Sequence, residues 1–254
     1  MYTCARCGTT ACCESESGPF PKNCPTHDLD REELAAAYGR PVEGELARQA
    51  ARVEAGGYCR LTRIEEIMDF ARRCGFSHLG IAHCVGLQRE ADVVRRVFEA
   101  NGLRVETVAC KAGALPKEMV GLGERDKLSP GEFESMCNPI GQAQVLARAG
   151  TQLNVVLGLC VGHDSLFFRH SAAPVTVLAA KDRVLGHNPL AAVYLADGYY
   201  HDRLFPQQDS TEPADEEGTP GGGAPGRRHD GGPSQALALR SGSPSDRPCC
   251  PGTN

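Results

Sequence analysis

The chain has 254 residues, of which 41% are hydrophobic, and a formal net charge of -5. That is enough apolar material for one large or two small globular cores. Lys and Arg are nowhere concentrated into a basic stripe, which argues against a nucleic-acid partner, because phosphate neutralisation needs clustered cations. No apolar stretch approaches the roughly 20 residues that cross a bilayer. The start MYTCARCGTT also lacks the apolar centre of a signal peptide, so a cytoplasmic protein with no membrane partner is expected.

Thirteen cysteines are many for such a compartment, where disulfides are rarely structural and thiol-rich chains more often bind metal or carry a reactive thiol. Five precede residue 25, two end the chain as Cys249 and Cys250, and six lie between. Residues 1–28 are rich in Cys, Gly, Pro and small polar residues without helical or strand periodicity, which predicts a loop-rich metal knuckle. Cys4-Ala-Arg-Cys7 is a C-x-x-C chelate whose two thiolates reach one tetrahedral metal across a tight turn. Cys12 or Cys13, and then Cys24 in NCP, complete four ligands for zinc or for an iron–sulfur cluster, whose ligand runs often end in Cys-Pro.

Residues 29–205 are expected to form an α/β unit. DREELAAAYG reads as a short helix ended by Gly39, and Pro41 suits the first turn of a second helix that ends near Gly56-Gly57. In LTRIEEIMDFARRCG, Thr62 and Glu65 make a capping box, with Ile64, Ile67, Met68 and Ala71 on one face. A regular alternation follows: strand HLGIAHC, helix QREADVVRRVFEAN, strand RVETVAC, helix NPIGQAQVLARAG capped by Asn138, and strand LNVVLGLC. Short helix HDSLFFRHS, strand PVTVLAAKD and helix NPLAAVYLADG complete it. Apolar strands alternating with helices predict a doubly wound, mostly parallel sheet of about four strands, in the order 2-1-3-4. From residue 206 to 254 the composition turns to Gly, Pro, Ser and charge, which predicts a disordered tail in which Cys249 and Cys250 are incidental.

In an open parallel sheet, ligands bind beyond the carboxyl ends of the strands near the switch point. Cys84, Cys110 and Cys160 stand at three such ends, and with neighbouring strands about 4.8 Å apart their thiols can share one ion, cluster or substrate. Gly86, Gly113 and Gly162 follow them and let the backbone turn. Cys137, before the Asn138 cap, lies on the same edge as a fourth candidate. His163 and Asp164 follow Cys160, while Lys181, Asp182 and His187 follow the last strand; Lys111 and Lys181 would hold thiolates or a small anionic ligand. The plainer alternative is that the thiols are small core residues, with Cys59 and Cys74 as filler and His163-Asp164 as a helix cap. The sequence has no G-x-G-x-x-G after the first strand, and no Walker, H-E-x-x-H or G-x-S-x-G motif.

The strings KNCP, CRLTRIEEIMDFARRCG, LGIAHCVGL, FESMCNPIGQA, LNVVLGLCVGHDSLFF and APVTVLAAKDRVLGHNPLAA span most of residues 1–200. In these the chain resembles a group of bacterial and archaeal proteins described as predicted metal-binding, under a domain-of-unknown-function label. The resemblance implies metal binding at Cys4, Cys7, Cys12 and Cys24 and leaves the metal unspecified; the doubled Cys12-Cys13 and the long tail look particular to this chain. The expectation is therefore a metal-binding protein, zinc or iron–sulfur, with a second thiol site on the sheet edge. Redox or sulfur/group-transfer catalysis with His163 or His187 as acid or base is one alternative, and an anion sensor the other.

Overall fold

A computed structural model describes residues 1–206. The segment expected to be disordered, with Cys249 and Cys250, lies outside the described residues. Two compact units are present, Met1–Arg31 and a larger one beginning at Glu32.

The first unit is built from single 3-10 turns at Cys4–Arg6, Ala11–Cys13 and Pro25–Asp28, which the Cys, Gly and Pro content favours over longer helices. Ala11 is buried within it, the Phe20 and His27 rings meet edge to face at 6.0 Å, and Arg31 pairs with Glu16 at 3.3 Å.

The larger unit opens with α1 (Arg31–Tyr38), α2 (Pro41–Gly57) and α3 (Arg63–Arg73). The Thr62–Glu65 capping box forms as expected: the Glu65 carboxylate accepts from the Thr62 backbone N–H at 2.8 Å. Then β1 (His78–His83), α4 (Gln88–Ala100), β2 (Arg104–Ala109), α5 (Pro139–Ala149), β3 (Leu153–Leu157), α6 (His163–His170) and β4 (Val175–Ala179) alternate, followed by α7 (Leu190–Tyr194) and α8 (His201–Leu204). All neighbouring strands pair in parallel, in the order β2-β1-β3-β4.

Alternation along the strands divides the core in two. Leu79 and Ile81 of β1 join Leu153, Val155 and Leu157 of β3 under α3 and α4, where Phe98 is fully buried. Ala82, Val108 and Val156 point the other way, under α5 and α6, with Leu146 and Phe167. Helices thus cover both faces, the doubly wound arrangement, and truncating a side chain buried like Phe98 to Ala removes about 3–5 kcal/mol of stability. Arg63 covers the outer edge of β4, donating to the Val177 carbonyl at 3.2 Å and to Thr176 Oγ1 at 2.8 Å.

Two strand features depart from an apolar reading. Asn154 sits inside β3, with its amide donating to Ser171 Oγ at 2.8 Å and its oxygen accepting from Thr151 Oγ1 at 2.8 Å. Its partner in register is Gly80, where a Cβ would stand 2.2 Å from Asn154 Oδ1, so the polar residue and the glycine require each other. The third strand also stops at Leu157 rather than running to Cys160. Gly158 takes φ +66°, and a Cβ there would strike the Leu87 side chain at 2.1 Å. The last expected helix shortens to the single turn α7, because Leu190, Val193 and Tyr194 are exposed and no packed face supports a longer one.

Candidate functional site

Cys84 and Cys110 are each the first residue beyond a strand, yet both remain in the ladder. Cys84 N–H donates to the Leu157 carbonyl at 3.2 Å and Cys110 N–H to the His83 carbonyl at 2.8 Å. Their positions are therefore those of the sheet itself. Both side chains lie on the α5/α6 face, Cys84 7% and Cys110 2% exposed.

Cys137 reaches the same place from a segment that leaves β2 at Lys111 and returns at Asn138. Three contacts return it to the sheet: Asn138 N–H donates to the Cys110 carbonyl at 2.7 Å, Asn138 Nδ2 to the Ala112 carbonyl at 3.0 Å, and Lys111 Nζ to the Ser135 carbonyl. Ion pairs brace the excursion: Lys117 to Glu134 at 2.7 Å, and Lys127 to both Glu118 and Glu124 at 2.6 Å. The result brings Cys137 Sγ to 3.8 Å from Cys110 Sγ, with the Cys137 thiol half-buried. Cys110 Sγ in turn accepts from Val85 N–H at 3.3 Å, and the Cys84 thiol adds a hydrogen bond to it.

Cys160 stands three residues past β3, before α6, whose first N–H groups (His163 and Asp164) bond back to its carbonyl at 3.0 and 3.1 Å. Its thiol receives a guanidinium hydrogen bond from Arg183 Nη2 at 3.2 Å. Asp182 and His187 build the turn that presents this arginine. Asp182 Oδ1 accepts from Val184 N–H at 2.9 Å and Leu185 N–H at 2.8 Å, while Asp182 N–H donates to His187 Nδ1 at 3.1 Å and His187 holds φ +67°. Lys181 comes to the edge beside Gly86: a Cβ on Gly86 would stand 3.7 Å from its Nζ and 3.8 Å from Cys84 Sγ. Asp164 turns to its own helix, accepting from Ser165 N–H at 2.8 Å.

These contacts separate the thiols electrostatically. The hydrogen-bonded contact with Cys110, helped by the Lys111 charge, outweighs burial and lowers Cys137 to about 7. Cys110, through the same contact and by burial, is pushed far above the usual thiol range. Arg183 is held charged, chiefly by its bond to Cys160. Burial, then the charge of Lys111, lowers His163, which favours the neutral imidazole; its Nδ1 is buried with no hydrogen-bond partner. The edge therefore combines a low-pKa thiolate, a protonated thiol beside it, two further thiols, and the cations Lys111, Lys181 and Arg183. It suits nucleophilic sulfur chemistry on an anionic molecule.

In the first unit, Cys4, Cys7 and Cys24 line one pocket, and Cys12 and Cys13 line another with Glu14 and Arg31. Cys7 is lowered by hydrogen bonds from the Thr9 hydroxyl and then from the Thr10 and Thr9 backbone, and Cys24 Sγ donates to Thr26 Oγ1 at 3.2 Å. The thiol-only donor set is of the type that zinc and iron–sulfur clusters take. Among the described residues, no three His, Cys, Asp or Glu side chains are arranged as a metal-holding group. Of the two cysteines that remain among the described residues, Cys59 is exposed rather than core, and Cys74 is half-buried, its thiol raised by burial and then by Glu45.

Two residues that the sequence did not single out support the site. Arg183 lies inside the quoted KDR string, but its reach depends on the Asp182–His187 turn. Gln142 is fully buried on α5 and donates to the carbonyls of His83 at 3.1 Å and Val108 at 2.7 Å, tying together the strand ends that carry Cys84 and Cys110. An amide one turn after Asn138, on the buried face of an otherwise small-residue helix, is its signal.

Among known proteins, a family model described as "Protein of unknown function (DUF1847)" matches residues 24–178. An uncharacterised protein of the archaeon Methanocaldococcus jannaschii is 38% identical over 174 residues, covering 68% of this chain and 87% of its own length. No solved structure matches. No helix among the described residues is long and apolar enough to cross a membrane.

Proposed function

The chain belongs to the family described as Protein of unknown function (DUF1847), and we propose that it is a thiol-dependent redox or sulfur/group-transfer protein with its working site on the C-terminal edge of the sheet. The carrying observation is the pairing of Cys137 with Cys110 at 3.8 Å beside the Cys84 and Cys160 thiols and three cationic side chains. Cations placed among thiols oppose a second positive charge, so they favour thiolate nucleophiles and anionic ligands over a metal ion at this edge. The lysines and Arg183 bind and orient the anion, Cys137 is the nucleophile, and Cys110 is the thiol in contact with it. A purely anion-sensing role would need the cations but not the thiol pair.

Metal binding belongs, in this reading, to the first unit. Cys4, Cys7 and Cys24, which line one pocket, would supply three thiolates for zinc or an iron–sulfur cluster, and Cys12 would have to turn in from its own pocket to be the fourth. Such a metal supplies folding free energy to a unit of single turns that buries little apolar surface.

Metal and acid-labile sulfide analysis of the anaerobically purified chain tests the division, repeated with Cys84, Cys110 and Cys160 replaced by Ser and separately with Cys4 and Cys7 replaced by Ser. Metal should persist in the first variant and vanish in the second. Metal lost from the sheet-edge variant would make that edge a metal centre and contradict the proposal.

A further inference from the structure

We propose that Cys137 and Cys110 form a dithiol that reduces a small anionic disulfide, with Cys137 as the attacking sulfur and Cys110 as the resolving one. This rests on the thiol reading of the sheet edge and assigns its partners and substrate class.

Access and proximity assign the roles. Cys137 is half-buried, and so within reach of a small molecule, while Cys110 is 2% exposed and cannot meet the substrate first. The two sulfurs are 3.8 Å apart, so bond formation at about 2.05 Å needs a closure of under 2 Å. A Cys84–Cys110 bridge would involve two buried thiols, neither of them accessible to an incoming disulfide. The substrate's charge follows from the surroundings: Lys111, Lys181 and Arg183 lie around the thiols, and among the described residues no carboxylate bonds directly to any of the four sulfurs.

The reaction balances in two steps. The Cys137 thiolate attacks one sulfur of the substrate RS–SR, forming the mixed disulfide Cys137–S–S–R and releasing RS⁻. Cys110 then passes its proton to that leaving thiolate or to water, and its sulfur attacks Cys137 Sγ. The Cys110–Cys137 bond forms and the second RS⁻ departs. Two electrons pass from the protein dithiol to the substrate disulfide, which leaves as two thiols after proton uptake. The same steps in reverse let a thiol re-reduce the protein.

The test uses the reduced full-length chain with oxidised glutathione, an acidic disulfide, and cystamine, a cationic one, quenched by alkylation and mapped by peptide mass spectrometry. Oxidised glutathione should give the Cys110–Cys137 bridge. Cys110→Ser should stop at glutathione on Cys137, and Cys137→Ser should lower glutathione capture at the sheet edge by roughly tenfold. Arg183→Ala should narrow the preference for the acidic over the cationic disulfide severalfold. The wild-type map needs no variant and stands even where a substitution impairs folding. A wild-type bridge between other cysteines, or capture in Cys137→Ser at the wild-type rate, would overturn the assignment. Capture at Cys160 or Cys84 instead would retire it while leaving the thiol site in place. If no sheet-edge thiol reacts faster than the exposed Cys59, the thiol reading falls with it.

Discussion

The two cysteine-rich regions of this chain are organised by opposite means. In the first unit the thiols sit on isolated 3-10 turns held by local bonds, such as Cys7 N–H to the Cys4 carbonyl at 3.0 Å. In the second unit Cys84 and Cys110 are fixed by strand-ladder bonds, and Cys137 is fixed to Cys110 through Asn138. In the proposed reading, one set would need a ligand to complete its order, whereas the other is placed by the sheet. Similar residue types would then serve different chemistry, depending on whether a sheet or a bound ion sets the geometry.

Metal removal should separate the regions most sharply. Structural zinc contributes about 10–16 kcal/mol of binding free energy in small thiolate sites, so chelation, or the Cys4→Ser/Cys7→Ser variant, should unfold the first unit. Hydrogen exchange should then collapse over residues 1–28 while β1 to β4 keep their protection. Loss of protection in the sheet as well would end the comparison.

Gln142→Ala should be the largest single-residue effect within the sheet edge. It removes the amide bonds to the His83 and Val108 carbonyls; the His83 carbonyl keeps its bond from Cys110 N–H, so the cost should be about 1–3 kcal/mol in all, as denaturant unfolding will read. Removing the Asn138 cap by substitution to Ala should cost about 1 kcal/mol. It should also slow Cys137 alkylation, because the cap holds Cys137 against Cys110.

Charge effects should be smaller. Cys137 is ionised above a pKa of about 7 and protonated below it, so its alkylation rate should rise with pH and reach half its plateau there. The contact with Cys110 lowers it, Lys111 favours the thiolate, and burial, Cys160 and Cys84 oppose it. Lys111→Met should therefore move the midpoint upward. An unmoved midpoint would assign the lowering to the Cys110 hydrogen bond alone.

Much of this architecture is legible in the sequence. The alternation of apolar strands and capped helices yields the β2-β1-β3-β4 order, and the Thr62–Glu65 and Asn138-Pro139 signals place helix starts correctly, because each rests on local backbone chemistry. The convergence of Cys84, Cys110, Cys137 and Cys160 follows from topology once three thiols stand near consecutive strand ends. What sequence could not convey depends on longer reach. Arg183 finds Cys160 through a turn that Asp182 and His187 close on each other, so two residues read as site candidates act as its frame. Gly158 ends β3 early because Leu87 occupies the space a side chain would need. The proposed division between a nucleophilic Cys137 and a protonated Cys110 depends on a 3.8 Å contact between residues separated by a long excursion.

The most direct measurement is the pH profile of alkylation at each cysteine of the reduced full-length chain, resolved by mass spectrometry. With a pKa of about 7, Cys137 should be alkylated at neutral pH roughly threefold faster than an ordinary exposed thiol, the gain in thiolate outweighing its lower nucleophilicity. Cys110 should stay unmodified across the range. A Cys137 profile indistinguishable from that of Cys59, or Cys110 reacting first, would contradict the account.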